Sequence, residues 1–215
     1  MISFVAMEDE SDTPPMSAEE SLSLIAQQNR KMRRALGGGP ARILAAWAIA
    51  YLIGWGFTYF TVRSGSAVQG WIAGVVVTVL LVTAIAVAMF YGIRQSRGIR
   101  GRSRKIGSMY GWSWTIGFGG LWVINFSVMK AGALPPEQVS VLWAGSSLLV
   151  VGLLYLAGGM IFEDWMFYGL GGWMIVTAAL SVLVGFPTLY LVLCLCGGGG
   201  FLLGSIVFFA RELRR

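Results

Sequence analysis

Glu163 and Asp164 stand side by side in a chain whose charges otherwise keep clear of its apolar stretches. A carboxylate pair between two such stretches can act as a gate or a proton-coupling group, because acidic groups near a bilayer are costly and often functional. The same pair can equally form an ion pair with Arg94 or Arg211 that ties helices together, or sit in a solvated turn. Cys194 and Cys196 lie inside an apolar run, beside the glycines at 197–200 and Gly204. Their Cys-x-Cys spacing suits a soft Cu(I) ion only if Met160 or Met166 converges on it. Free thiols in apolar surroundings are otherwise inert. The glycine run permits close helix approach or a local break in a helix. It lacks the Lys and Ser/Thr that a phosphate-cradling loop needs.

Asn125 is the only carboxamide inside an apolar run, with Ser127 close behind it. An amide in hydrocarbon must face protein or water. It therefore serves a ligand or bonds a neighbouring helix, the latter worth about 1 kcal/mol. Trp55 and Trp122 fall deeper in their runs than Trp71 and Trp143, which suit an interfacial belt. The deeper pair either lines a cavity for an apolar or cationic solute or packs against the many nearby glycines. The candidate substrate-binding set is Trp55, Trp122, Asn125, Glu163 and Asp164. No histidine is present, which removes the commonest general base and a usual zinc ligand. No nucleophile–base constellation can be assembled. The expectation is a protein that is not an enzyme, with no cofactor and no metal.

The elements that must carry these residues follow from composition. Of 215 residues, 56% are hydrophobic and only 12% charged, against about 25% charged in soluble domains. Six apolar runs cover 43–62, 70–93, 106–129, 139–162, 165–184 and 187–210, each 20 to 24 residues long. About 20 helical residues cross a bilayer core, and continuous runs of this length exclude barrel strands. The expected fold is all-α: a polytopic membrane bundle of six transmembrane helices over 43–210.

Lysine and arginine orient it. Fourteen of the sixteen precede the first run, join the second to the third or follow the sixth; only Arg63 and Lys130 fall on the other side. The positive-inside rule puts both termini, and the tail at 211–215, in the cytoplasm. The net charge of +6 then needs no nucleic acid to explain it. Residues 1–16 are acidic and read as disordered, and Met7 and Met16 are alternative starts. Ser17 with Glu20 forms a capping box opening a cytoplasmic amphipathic helix over 17–36, basic at its far end and stopped by Gly37–Gly39 and Pro40. That helix suits an anionic membrane surface or a cytoplasmic protein partner.

A repeat runs through the spans. Trp114, Trp122, Lys130 and Gly132 reproduce Trp47, Trp55, Arg63 and Gly65 at a constant offset of 67, and Trp165 with Trp173 makes a partial third copy. Each copy opens an odd-numbered run, which suggests three repeated helical hairpins. Ordinary tryptophan usage and post-span basic anchors would produce the same marks.

The stretch SAEESLSLIAQQNRKMRRALGGGP before a tryptophan-bearing first span, and the later YLAGGMIFEDWMFYGLGGWM, resemble small actinobacterial six-span integral membrane proteins. The resemblance implies a bacterial plasma membrane and a loose link with transport, and it carries no site residues. The leading expectation is a carrier-like transporter of a small apolar or cationic solute, with its cavity between hairpins and Glu163 and Asp164 at the cytoplasmic mouth. The alternative is a non-catalytic scaffold, sensor or accessory subunit that recruits a cytoplasmic partner. Expected partners are the lipid bilayer, further copies of the chain and such a cytoplasmic protein.

Overall fold

The computed structural model describes residues 17, 19–24, 39–65, 67–96, 102–132 and 134–214. The chain divides into two units, 1–37 and 38–215. In the first, the Glu20 amide donates to Ser17 Oγ and the Ser17 amide donates to Glu20 Oε2, both at 3.1 Å. This is the reciprocal capping box, and residues 19–24 continue as helix. The acidic stretch 1–16, most of the helix expected over 17–36, and Arg215 lie outside the described residues.

The second unit is six long helices, with no strand among its described residues. They are α1 (Gly39–Ser64), α2 (Ala67–Ser96), α3 (Arg102–Ala131), α4 (Pro136–Ile161), α5 (Trp165–Val184) and α6 (Leu189–Leu213). Local chemistry sets their ends. Pro136 occupies the first turn of α4, where its missing N–H costs nothing, and Glu137 meets the positive end of the dipole. Asp164 caps α5 by accepting from the amides of Met166 and Phe167 at 2.8 and 3.4 Å. Gly185, at φ 66°, lets the chain leave α5.

Among the described residues, five helices are long and apolar enough to cross a membrane: all but α3. The third run, 106–129, carries the same expectation of a span, and α3 is the helix that holds it. α3 has the length, 30 residues, or about 45 Å at 1.5 Å per residue. Its three tryptophans, five glycines, serines and Asn125 dilute its aliphatic content, so it stays below the hydropathy of the others. The buried serine and threonine hydroxyls bond within their own helices, as an apolar interior requires. Thr58 Oγ1 donates to the Gly54 carbonyl, Thr177 Oγ1 to that of Trp173 and Ser181 Oγ to that of Ala178, at 2.8 to 2.9 Å.

Neighbouring helices follow the order α2, α1, α6, α5, α4, α3. The core joins the middle four: Leu44, Ala48 and Tyr51 of α1, Leu148, Val151 and Tyr155 of α4, Leu170, Met174 and Ala178 of α5, and Leu189, Leu193 and Phe201 of α6. α2 and α3 lie at the two ends of this order. They expose apolar residues such as Val79, Val82, Met89, Ile116 and Val123. The closest pairing is α4 with α5, which belong to different hairpins in the repeat frame. A Cβ on Gly159 would lie 2.5 Å from the Tyr168 backbone nitrogen, and one on Gly171 would lie 2.5 Å from that of Leu156. Only glycine allows the two backbones to approach this far.

Candidate functional site

Two helices lose their regular winding at the same level. Ala50–Trp55 of α1 and Leu193–Gly198 of α6 are π-helical turns, and they pack against each other. Such turns are rare and concentrate at functional sites. The small residues of α6 make the fit possible. A Cβ on Gly197 would come within 2.8 Å of the Tyr51 ring, and one on Gly198 within 2.8 Å of Leu52 Cγ. Across the seam the Cys194 thiol donates to the Leu52 carbonyl at 3.3 Å. From α5, the Trp173 indole donates to the Cys196 carbonyl at 2.9 Å.

Aromatic rings surround this seam. Tyr51 meets Phe201 edge-on at 5.2 Å, Trp47 lies 6.1 Å from Phe201, and Tyr155 of α4 lies 6.2 Å from Phe201. Trp55 stacks on Tyr190 at 5.7 Å with 13° between the planes. The Trp55 indole nitrogen is buried and, alone among buried side-chain polar atoms of the described residues, has no hydrogen-bond partner. Leaving a buried N–H unpaired costs roughly 1–3 kcal/mol. The site therefore combines π faces with one free donor.

The other expected residues lie elsewhere. Trp122 is 52% exposed and meets Phe126 and Trp143 at 5.5 and 5.2 Å. Asn125 is only 1% exposed, and its amide donates to Ser146 Oγ at 2.9 Å, which in turn donates to the Leu142 carbonyl at 2.6 Å. An open groove of about 380 Å³ borders that pair, between Val128, Gln138, Gly145, Ser146 and Val182. Asp164, besides capping α5, pairs with Arg211 at 3.7 Å. Glu163 beside it is exposed and sits at φ 53°. No hydrogen bond, ion pair or ring contact among the described residues joins these three places: Trp55 in α1, Trp122 with Asn125 in α3, and the acidic turn before α5.

Sequence reasoning passed over Tyr51, Tyr190 and Phe201. A signal for the first was present, since Trp47, Tyr51 and Trp55 recur every four residues along one helix face. Cys194 is buried and both cysteines are free. Among the described residues no three His, Cys, Asp or Glu side chains gather as a metal site would require.

These features define an all-helical bundle whose long apolar helices suit a lipid bilayer, with a helix irregularity at its core. The chain matches no protein-family model, no curated protein and no solved structure.

Proposed function

We propose that this protein is a carrier-like transporter of a small apolar or cationic solute, and that the seam between α1 and α6 is its binding point. The supporting observation is the unpartnered, buried indole N–H of Trp55, set in a π turn against the ring of Tyr190. Irregular helix at membrane depth is tolerated where it is enclosed by protein or lines a cavity, and transporters place their substrates at such breaks. The ring faces would attract a cation, and the N–H would meet an acceptor on the solute.

In this reading α3 crosses the bilayer as a sixth span, its tryptophans replacing aliphatic surface. Both termini are then cytoplasmic, in a bacterial plasma membrane, and the tryptophan frame marks duplicated hairpins. Reporter fusions near residues 100 and 133 should fall on opposite sides of the membrane; the same side for both removes the sixth span.

Transport itself is tested with purified protein in liposomes and a lipophilic cation such as tetraphenylphosphonium. Flux above that of empty liposomes, reduced by Trp55→Phe, which keeps a ring but deletes the N–H, is the expected result. Flux equal to empty liposomes would sink the reading. A scaffold function draws on a different observation, the formed Ser17–Glu20 capping box. Loss of a co-purifying partner on deletion of residues 1–36, with the bundle intact, would favour it.

A further inference from the structure

Arg42 lies one turn into α1, exposed, with its guanidinium carbon 5.6 Å from the ring centroid of Tyr91 on α2. Arg94 follows Tyr91 by three residues, which puts it on the same face of α2, one turn nearer the helix end. Arg42 meets Tyr91 while Gly54, further along α1, meets Val77, so the two helices run antiparallel and the start of α1 shares one end of the bundle with the end of α2. Among the described residues neither arginine has a carboxylate within ion-pair distance; the one ion pair there is Arg211 with Asp164. Two cations thus flank one tyrosine at the edge of an apolar helix pair, with no counter-ion among the described side chains.

A guanidinium is weakly hydrated and its planar fork matches a phosphate, so exposed arginines at a membrane boundary favour an anion beside them. At that depth in a bilayer the abundant anions are lipid phosphates. The flank of α2 leading away from the pair is apolar and exposed at Ile85, Met89 and Phe90, as acyl chains require. We propose that Arg42, Tyr91 and Arg94 form a binding site for the headgroup of an anionic phospholipid, the arginines holding the phosphate and the chains lying along α2. The inference needs the bundle to sit in a bilayer. It does not need the protein to transport anything.

The test uses the full-length protein in a neutral detergent, titrated with phosphatidylglycerol or phosphatidylcholine and read by native mass spectrometry and thermal unfolding. Phosphatidylglycerol should bind at least about ten-fold more tightly than phosphatidylcholine and raise the unfolding temperature. Each arginine near the surface is worth about five-fold, so Arg42→Gln with Arg94→Gln should weaken phosphatidylglycerol by roughly 25-fold. Arg63→Gln, at the opposite end of α1, should leave it unchanged. The pair Arg42→Lys and Arg94→Lys keeps the charge and should retain a preference for the anionic lipid, a comparison that survives if the glutamine pair does not fold. Equal binding of the two lipids overturns the proposal, as does full retention of phosphatidylglycerol by a folded glutamine pair. Inorganic phosphate giving the same stabilisation as phosphatidylglycerol would place the anion in solution and overturn the lipid assignment.

Discussion

The Cys194 thiol reaches the Leu52 carbonyl at 3.3 Å, bridging α6 and α1 where both helices widen into a π turn. A thiol is a weak donor, yet in a low-dielectric interior even a weak partner matters to a backbone carbonyl. Replacing Cys194 by Ala should lower stability in detergent by about 1 kcal/mol, and Ser, which keeps a donor, should restore most of it. Thermal unfolding of the two variants checks this; equal losses would mean that the bond contributes nothing.

The glycines of the same seam make a sharper comparison. Gly198→Ala would place a methyl 2.8 Å from Leu52 Cγ and 3.1 Å from its backbone nitrogen. A cost of about 1–3 kcal/mol follows from such overpacking. Gly199, one residue on, faces open space, with no neighbouring side chain or helix within 4 Å of where a methyl would stand. Gly199→Ala should therefore be neutral or mildly stabilising. Denaturation midpoints of the two variants should separate clearly.

Between α4 and α5 the constraint is backbone against backbone. Gly159→Ala and Gly171→Ala each push a methyl to 2.5 Å from a main-chain nitrogen that no rotamer change can move. Both should cost at least as much as Gly198→Ala, about 2–3 kcal/mol or more, or abolish folding. Gly169→Ala and Gly172→Ala, whose surroundings are open, should unfold near the wild-type temperature.

Asn125 and Ser146 form a bond between α3 and α4 at 2.9 Å. A double-mutant cycle with Asn125→Ala and Ser146→Ala should give a coupling of about 0.6–1 kcal/mol. Zero coupling would reduce Asn125 to a buried amide with no share in helix association.

In the turn before α5, Asp164 both caps the helix and pairs with Arg211. Asp164→Asn keeps the cap and loses the charge, which should cost under about 1 kcal/mol because Arg211 is 47% exposed. Asp164→Ala loses both and should cost about 1–2 kcal/mol. Glu163→Gly relieves a left-handed backbone at φ 53° and should stabilise by up to about 1 kcal/mol. Urea or thermal unfolding orders the three; a Glu163→Gly variant weaker than wild type would show that the carboxylate has a partner of its own.

Helix content was legible in the amino-acid sequence because lipid solvation acts residue by residue. A run of apolar side chains long enough for a bilayer has to satisfy its own backbone, whatever lies beside it. The capping box, the Asp164 turn and the pairing of that carboxylate with Arg211, one of two partners offered by charge alone, were readable for the same local reason. The hydropathy of α3 was the exception. Tryptophan, glycine and serine make a long helix without making it as apolar as its neighbours.

Which helix lies against which was a tertiary decision. Hairpin arithmetic paired α3 with α4 and α5 with α6, but the tightest contact formed between α4 and α5, since Gly159 and Gly171 face each other's helix only once both are in place. Asn125 in the sequence asked for a partner without naming Ser146. The π turns left no trace in the hydrophobic pattern, because one extra residue in a helix that is apolar on every side does not disturb its periodicity. Hydrocarbon and charge determined that six helices form; the shapes of glycine, tyrosine and tryptophan at their contacts determined how they assemble.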